Sequence, residues 1–215
     1  MDEAFRRYEH CLFSFVSPVM NVLFLLGALH QEADSVSLRV DPNKLQFFEY
    51  EPLTFHCEGF SGSTGWKFVR QSKGEVPSCK SNSKVTSTGS SCTIINVYPD
   101  DSGEYWCEDG ERKRSNSINI TVTAGSVILE SPALPVMEGK TVTLSCRNKT
   151  TSSNLTAGFY KDGLLMGSSS TGEMIIHSVS RSDEGLYKCK ISGAGESAES
   201  WLAVRGELLQ GFQHI

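Results

Sequence analysis

The chain has 215 residues, 39% hydrophobic and 21% charged, with a formal net charge of −5. This is the composition of an ordinary soluble globular protein, long enough for one large domain or two small ones. The acidic balance argues against nucleic acid as a partner, which would call for a basic footprint.

Arg6 and Arg7 precede an apolar run from Cys11 to Leu29, the order of the n- and h-regions of a signal peptide. The expectation is a leader over residues 1–33, cleaved between Ala28 and Ala33. The run is long and contains Pro18, so an uncleaved signal-anchor, or a start at Met20, stays open. No later stretch reaches the ~18 apolar residues of a membrane span, and the tail 206–215 is too short for one. The sequence therefore predicts no span beyond the N-terminal segment.

A first domain is expected over 35–123. Leu53-Thr54-Phe55-His56-Cys57 alternates apolar and polar residues, as a half-buried strand does. Gly65-Trp66-Lys67-Phe68-Val69, Cys92–Val97, Tyr105–Glu108 and Ser117–Val122 supply further strands, with a hairpin signal at Asp109-Gly110. Residues 124–126 form a linker short enough to limit the interdomain angle. A second domain follows over 127–205. Its strands are Thr141–Cys146, Gly158–Lys161, Met174–His177 and Leu186–Lys190, with turns at Glu138-Gly139-Lys140 and Asp162-Gly163.

Both domains carry the same phrase, D-x-G-x-Y-x-C. It is Asp101-Ser102-Gly103-Glu104-Tyr105-Trp106-Cys107 in the first and Asp183-Glu184-Gly185-Leu186-Tyr187-Lys188-Cys189 in the second. Cys57 and Cys146 lie 50 and 43 residues upstream of Cys107 and Cys189. A Tyr two residues before the second Cys is the tyrosine corner of an immunoglobulin sandwich, and that Cys closes the bond between the sheets. Trp66, nine residues after Cys57, stands where strand C presents a buried Trp; the second domain has no such Trp, and Phe159 is expected to pack there instead. The short Cys–Cys separations leave little room for the extra strands of a variable-type domain. The fold predicted is all-β: two tandem immunoglobulin-like, C2-type sandwiches, with Trp66, Tyr105, Phe159 and Tyr187 in their cores.

There are seven cysteines. Setting aside Cys11 leaves six, which allow 15 pairings. The sandwich pattern selects Cys57–Cys107 and Cys146–Cys189 and leaves Cys79 with Cys92, as in a chain folded in an oxidising compartment. A zinc site is the competing reading, weakened by the lack of any C-x-x-C pair. Sequons occur at Asn119, Asn148 and Asn154; on a secreted surface these become glycan sites. No G-x-S-x-G, Walker loop or H-E-x-x-H is present, so the sequence predicts no enzyme, cofactor or metal.

Trp66, the segment Tyr98–Cys107, the junction Ser131-Pro132-Ala133-Leu134-Pro135-Val136-Met137-Glu138-Gly139 and Tyr187-Lys188-Cys189 resemble the two-domain ectodomains of immunoglobulin Fc receptors and Fc-receptor-like proteins, the fish-type members above all. The resemblance covers about residues 35–205. It implies an immune receptor ectodomain, secreted or on the external side of the plasma membrane, that binds an immunoglobulin Fc or a related protein ligand. Any signal would pass through a co-receptor or a segment not in this chain. In the low-affinity receptors for IgG, two tryptophans clamp a proline of the Fc; the matching positions here are Ser126 and Lys149. Family analogy places ligand contacts on the B–C, C′–E and F–G loops of the second domain, at 147–156, 167–172 and 192–197. The candidate ligand residues are Ser126, Arg147, Lys149, Gly193, Gly195 and Glu196. The alternative is an adhesion or decoy module of the same fold that binds another cell-surface protein or a glycan. A basic run, Glu111-Arg112-Lys113-Arg114, reads as solvated hairpin surface or as a cationic tip that steers an acidic ligand.

Overall fold

Alternation along Leu53-Thr54-Phe55-His56-Cys57-Glu58 becomes a strand whose odd-numbered side chains are buried and whose even-numbered ones are half-buried. Among the described residues it is one of nine strands in the first of two sandwiches. The computed structural model describes residues 36–206 apart from 60–66, 72, 77–78, 80–82, 87–88, 109–112 and 151–155. The expected leader, the tail beyond 206, Trp66 and Asn154 lie outside the described residues.

The first sandwich consists of β1 (Ser37–Asp41), β2 (Gln46–Phe48), β3 (Leu53–Glu58), β4 (Lys67–Arg70), β5 (Gly74–Glu75), β6 (Ser83–Thr86), β7 (Gly89–Ile94), β8 (Gly103–Glu108) and β9 (Ile118–Thr123). One sheet runs β1-β3-β7-β6 and the other β2-β9-β8-β4-β5, with β2 parallel to β9. Between them Phe55 lies 4.7 Å from the Tyr105 ring and 6.2 Å from Phe68. Leu38, Phe47, Phe55, Ile118 and Ile120 are almost wholly excluded from solvent; each is worth about 1.5–3 kcal/mol of transfer free energy. The expected strand Cys92–Val97 sits three residues earlier. The Val97 N–H goes to the Glu51 carbonyl at 3.1 Å and its own carbonyl accepts from Tyr50 N–H at 2.8 Å, which takes this segment out of the ladder.

The second sandwich consists of β10 (Val127–Glu130), β11 (Val136–Met137), β12 (Val142–Asn148), β13 (Ala157–Lys161), β14 (Leu164–Ser169), β15 (Glu173–Ile176), β16 (Gly185–Ile191), β17 (Gly195–Glu196), β18 (Ser200–Leu202) and β19 (Val204–Arg205). One face is β10-β12-β15 and the other β14-β13-β16-β17, with β18 also on β16 and β11 parallel to β19. Each sandwich finds room for one more strand than the Cys spacing suggested: β5 beside β4, and β14 beside β13. In the second, that strand lies on the β13 sheet, and β15 is left as the edge of the opposite sheet.

Three disulfides join Cys57 to Cys107, Cys146 to Cys189 and Cys79 to Cys92, with Cα atoms 6.3, 5.9 and 5.3 Å apart. The third ends the zinc alternative, since neither thiol is free to ligate. Phe159 is buried and stands opposite Cys189 in the ladder. Its counterpart by register in the first sandwich is Phe68, opposite Cys107.

The repeated phrase builds the same corner twice. Tyr105 donates its hydroxyl proton to the Asp101 carbonyl, and Tyr187 donates to the Asp183 carbonyl at 2.7 Å. The aspartate side chains turn back to accept the N–H of Tyr98 at 2.9 Å and of Ser180 at 2.8 Å. Gly185 has φ +156°, and a Cβ there would sit 2.7 Å from Asp162 Oδ2, which is why this copy of the phrase needs glycine. A basic residue faces each corner tyrosine across the strands: Arg70 opposite Tyr105 and Lys161 opposite Tyr187. Arg70 donates to the Asp100 carbonyl at 2.6 Å, and Lys161 to the Ser182 carbonyl.

Candidate functional site

The loops expected to carry a ligand open from one end of the second sandwich. Ala157, where β13 begins, pairs with Ser169 of β14 and with Ile191 of β16. The B–C, C′–E and F–G connections therefore leave from neighbouring strand ends. At the same end Val127 pairs with Asn148, and the Lys149 N–H donates to the Ser126 carbonyl at 2.8 Å. Ser126 and Lys149, the two positions that match the tryptophan pair, are thus adjacent and exposed. Neither offers the aromatic area that carries most interface hot spots.

The F–G connection is a tight turn. Gly193 and Gly195 have φ +78° and +122°, values that other residues adopt only with strain. Both are exposed, and Glu196 on β17 reaches Lys188 Nζ at 3.5 Å. The C′–E turn ends at Gly172, whose carbonyl accepts from Cys146 N–H at 2.8 Å.

Arg147 faces elsewhere. Its Nη1 donates to Glu130 and its Nη2 to Glu51 of the first sandwich, both at 2.7 Å. Lys44, whose side chain is 6% exposed, bonds Glu51 at 2.8 Å, lies 3.3 Å from Glu130 and sits over the Phe47 ring. Two cations and two carboxylates thus form a closed, charge-balanced square across the domain junction. Burial alone would raise the Glu51 carboxyl. Hydrogen bonds from Lys44 and the Phe48 N–H, the Lys44 charge and the bond from Arg147 outweigh it and hold the group below the usual glutamate value.

Beside this square, Gln46 is fully buried, and the hydrogen bonds of its side chain go to the second sandwich. Its Nε2 donates to the Ala198 carbonyl and to Ser200 Oγ, both at 2.8 Å, and its Oε1 accepts from Leu129 N–H at 3.0 Å. Ala133 and Leu134, from the proline-flanked junction, pack on the first sandwich's core. Gln46, Lys44, Glu51 and Glu130 were not singled out from the sequence. The only local signal was a polar residue set among Leu45, Phe47 and Phe48.

The basic run is partly described. Arg114 stacks 3.7 Å over the Trp106 ring and lies 3.7 Å from Glu104. Tyr50 is exposed, with φ +74° and its ring edge-on to Tyr98 at 5.4 Å. The sequons differ in setting: Asn119 is exposed on β9, whereas Asn148 keeps its Oδ1 buried and without a hydrogen-bond partner. Among the described residues no helix is long and apolar enough to cross a membrane.

Comparison with known proteins agrees with this architecture. The immunoglobulin domain model matches residues 126–192. Fc receptor-like protein 5 of Mus musculus is 30% identical over 165 residues, covering 74% of this chain and 26% of that protein. The low affinity immunoglobulin gamma Fc region receptor II of Mus musculus is 26% identical over 176 residues, covering 79% of this chain and 49% of that protein. The crystal structure of murine CEACAM1b covers 80% of this chain and 100% of its own at 18% identity, with a TM-score of 0.33; at that score the likeness carries nothing about function. The chain spans about a quarter to a half of the length of these two relatives.

Fold, disulfides and relatives together define an immune receptor ectodomain of the immunoglobulin superfamily. Within that superfamily the chain is similar to Fc receptor-like proteins.

Proposed function

We propose that this chain is the ligand-recognising part of an extracellular, non-enzymatic receptor, and that it binds an immunoglobulin Fc or a related protein through the loop end of the second sandwich. The observation that carries this is the convergence of the B–C, C′–E and F–G connections with the Ser126–Lys149 contact at one end, in a chain whose relatives include a receptor named for the gamma Fc region. Three disulfides support folding in an oxidising compartment. The contact surface is Ser126, Lys149, Gly193, Gly195 and Glu196, with Arg147 behind it as the residue that fixes the junction. With serine and lysine at the tryptophan positions, binding uses polar and backbone contacts in place of an aromatic clamp. A signalling co-receptor, or a segment outside this chain, transmits the result.

Surface plasmon resonance of the secreted, glycosylated 34–215 fragment against a panel of immunoglobulin classes tests this. Saturable binding to an Fc fragment, weakened at least tenfold by Lys149→Glu, is the expected result. Silence across the panel from a folded, fully disulfide-bonded sample overturns it in favour of an adhesion or decoy module.

A further inference from the structure

Away from the loop end, the two sandwiches enclose a groove of about 460 Å³. One wall is first-sandwich surface, with Gln71, Glu104 and Asn119; the other carries Leu186, Glu199 and Trp201. Leu186 and Trp201 stand directly opposite each other on β16 and β18, and 40% and 52% of their surfaces remain exposed. The half-open indole beside an open leucine gives this wall of the groove an apolar face.

Asn119 lies on the facing wall. It opens the sequon Asn119-Ile120-Thr121. Ile120 is buried in the core while Asn119 is exposed, so the pleat turns the asparagine side chain outward. We infer that an N-linked glycan on Asn119 lies in this groove and covers Trp201, fastening one sandwich to the other.

The chemistry of the walls suits a saccharide. A sugar ring has a C–H face that packs on an indole, and a rim of hydroxyls that bond carboxylates and amides; Trp201 supplies the first partner, and Gln71, Glu104 and Glu199 supply the second. The contact does not need to be strong. A glycan tethered to the groove wall meets Trp201 at a millimolar effective concentration, so a weak sugar–indole contact suffices. This proposal stands apart from the ligand-binding reading and does not depend on it.

The test uses the full chain secreted from cells that add N-glycans. Peptide mapping reports occupancy of Asn119. Acrylamide quenching reports the exposure of Trp201, taken as the difference between wild type and Trp201→Phe, which removes the background of Trp66 and Trp106. The expected result is an occupied Asn119 and a Trp201 signal quenched several-fold less in the glycoprotein than after enzymatic deglycosylation or in Thr121→Ala. If Thr121→Ala does not fold, Asn119→Gln at the exposed site replaces it. An unmodified Asn119, or a Trp201 quenched equally in both forms, overturns the proposal. So does protection of Trp201 by an added free oligosaccharide when the attached glycan gives none, which would assign the groove to a partner's sugar.

Discussion

Gln46 Nε2 lies 2.8 Å from Ser200 Oγ although 154 residues of chain separate them. That bond and its companions to Ala198 and Leu129 place the whole polar capacity of a buried side chain in the neighbouring sandwich. Gln46→Leu keeps the volume but strands the Leu129 N–H and the buried Ser200 hydroxyl. Each buried group left unpaired costs about 1–3 kcal/mol, so the expected loss is about 2–6 kcal/mol. Thermal unfolding would show it as a fall of roughly 2–4 °C per kcal/mol for a chain of this size.

The charge square at the junction makes stability depend on acid. Glu51 is held below its ordinary value, so its contribution is fully present above the unfolded glutamate pKa of about 4.3. It is lost as pH falls through the lower, folded value. Urea midpoints measured from pH 6 down to pH 3 should therefore drop below about pH 4. In Glu51→Gln the drop should be shallower, with a lower plateau at neutral pH.

The corner tyrosines give an alkaline signature. Burial, with help from Asp183 and Asp162, pushes Tyr187 up to about 12; burial also raises Tyr105 despite the nearby Arg70. A raised folded value means that the neutral phenol stabilises the fold below the unfolded pKa of about 10. That stabilisation is lost between about pH 10 and 12. Absorbance titration at the phenolate band should resolve one late-ionising group that Tyr187→Phe removes. The same variant, lacking one hydrogen bond to the Asp183 carbonyl, should lose about 0.5–1.5 kcal/mol.

Cys79 and Cys92 are separated by 13 residues. Replacing both with serine frees a short loop, worth about 3 kcal/mol in the chain-entropy model. Cys189→Ser, which breaks the bond between the sheets of the second sandwich, should cost about 2–5 kcal/mol. Thiol titration under denaturing conditions should find no free sulfhydryl among the six in the wild-type secreted chain.

Much of the fold was legible because it is written in local patterns. The D-x-G-x-Y-x-C phrase encodes a turn and a tyrosine reaching back four residues, both within one short segment. Strands such as Leu53–Glu58 and Val142–Asn148 announce themselves by alternation. The two-residue strands β5, β11, β17 and β19 do not, since two residues cannot display a period. Strand β14 was missed for another reason: Leu164, Leu165 and Met166 are all exposed, so no face alternates. The junction was illegible because its code is relational. Nothing near Gln46 says that its partners sit at 129, 198 and 200, and nothing near Arg147 marks it as a junction residue rather than a ligand contact. The loop cluster could be read only through family resemblance, because glycine and serine write the same letters in a binding turn and in a plain one.

One effect of the Gln46 and Lys44 contacts concerns how such a receptor can be cut and rejoined. Ala133 and Leu134 shelter the first sandwich's core, while Gln46 answers the backbone of the second. A half excised at Gly125 would carry an orphaned amide and a bared apolar patch into water. The exchangeable module is therefore the pair, and its two halves would fold, travel and fail together.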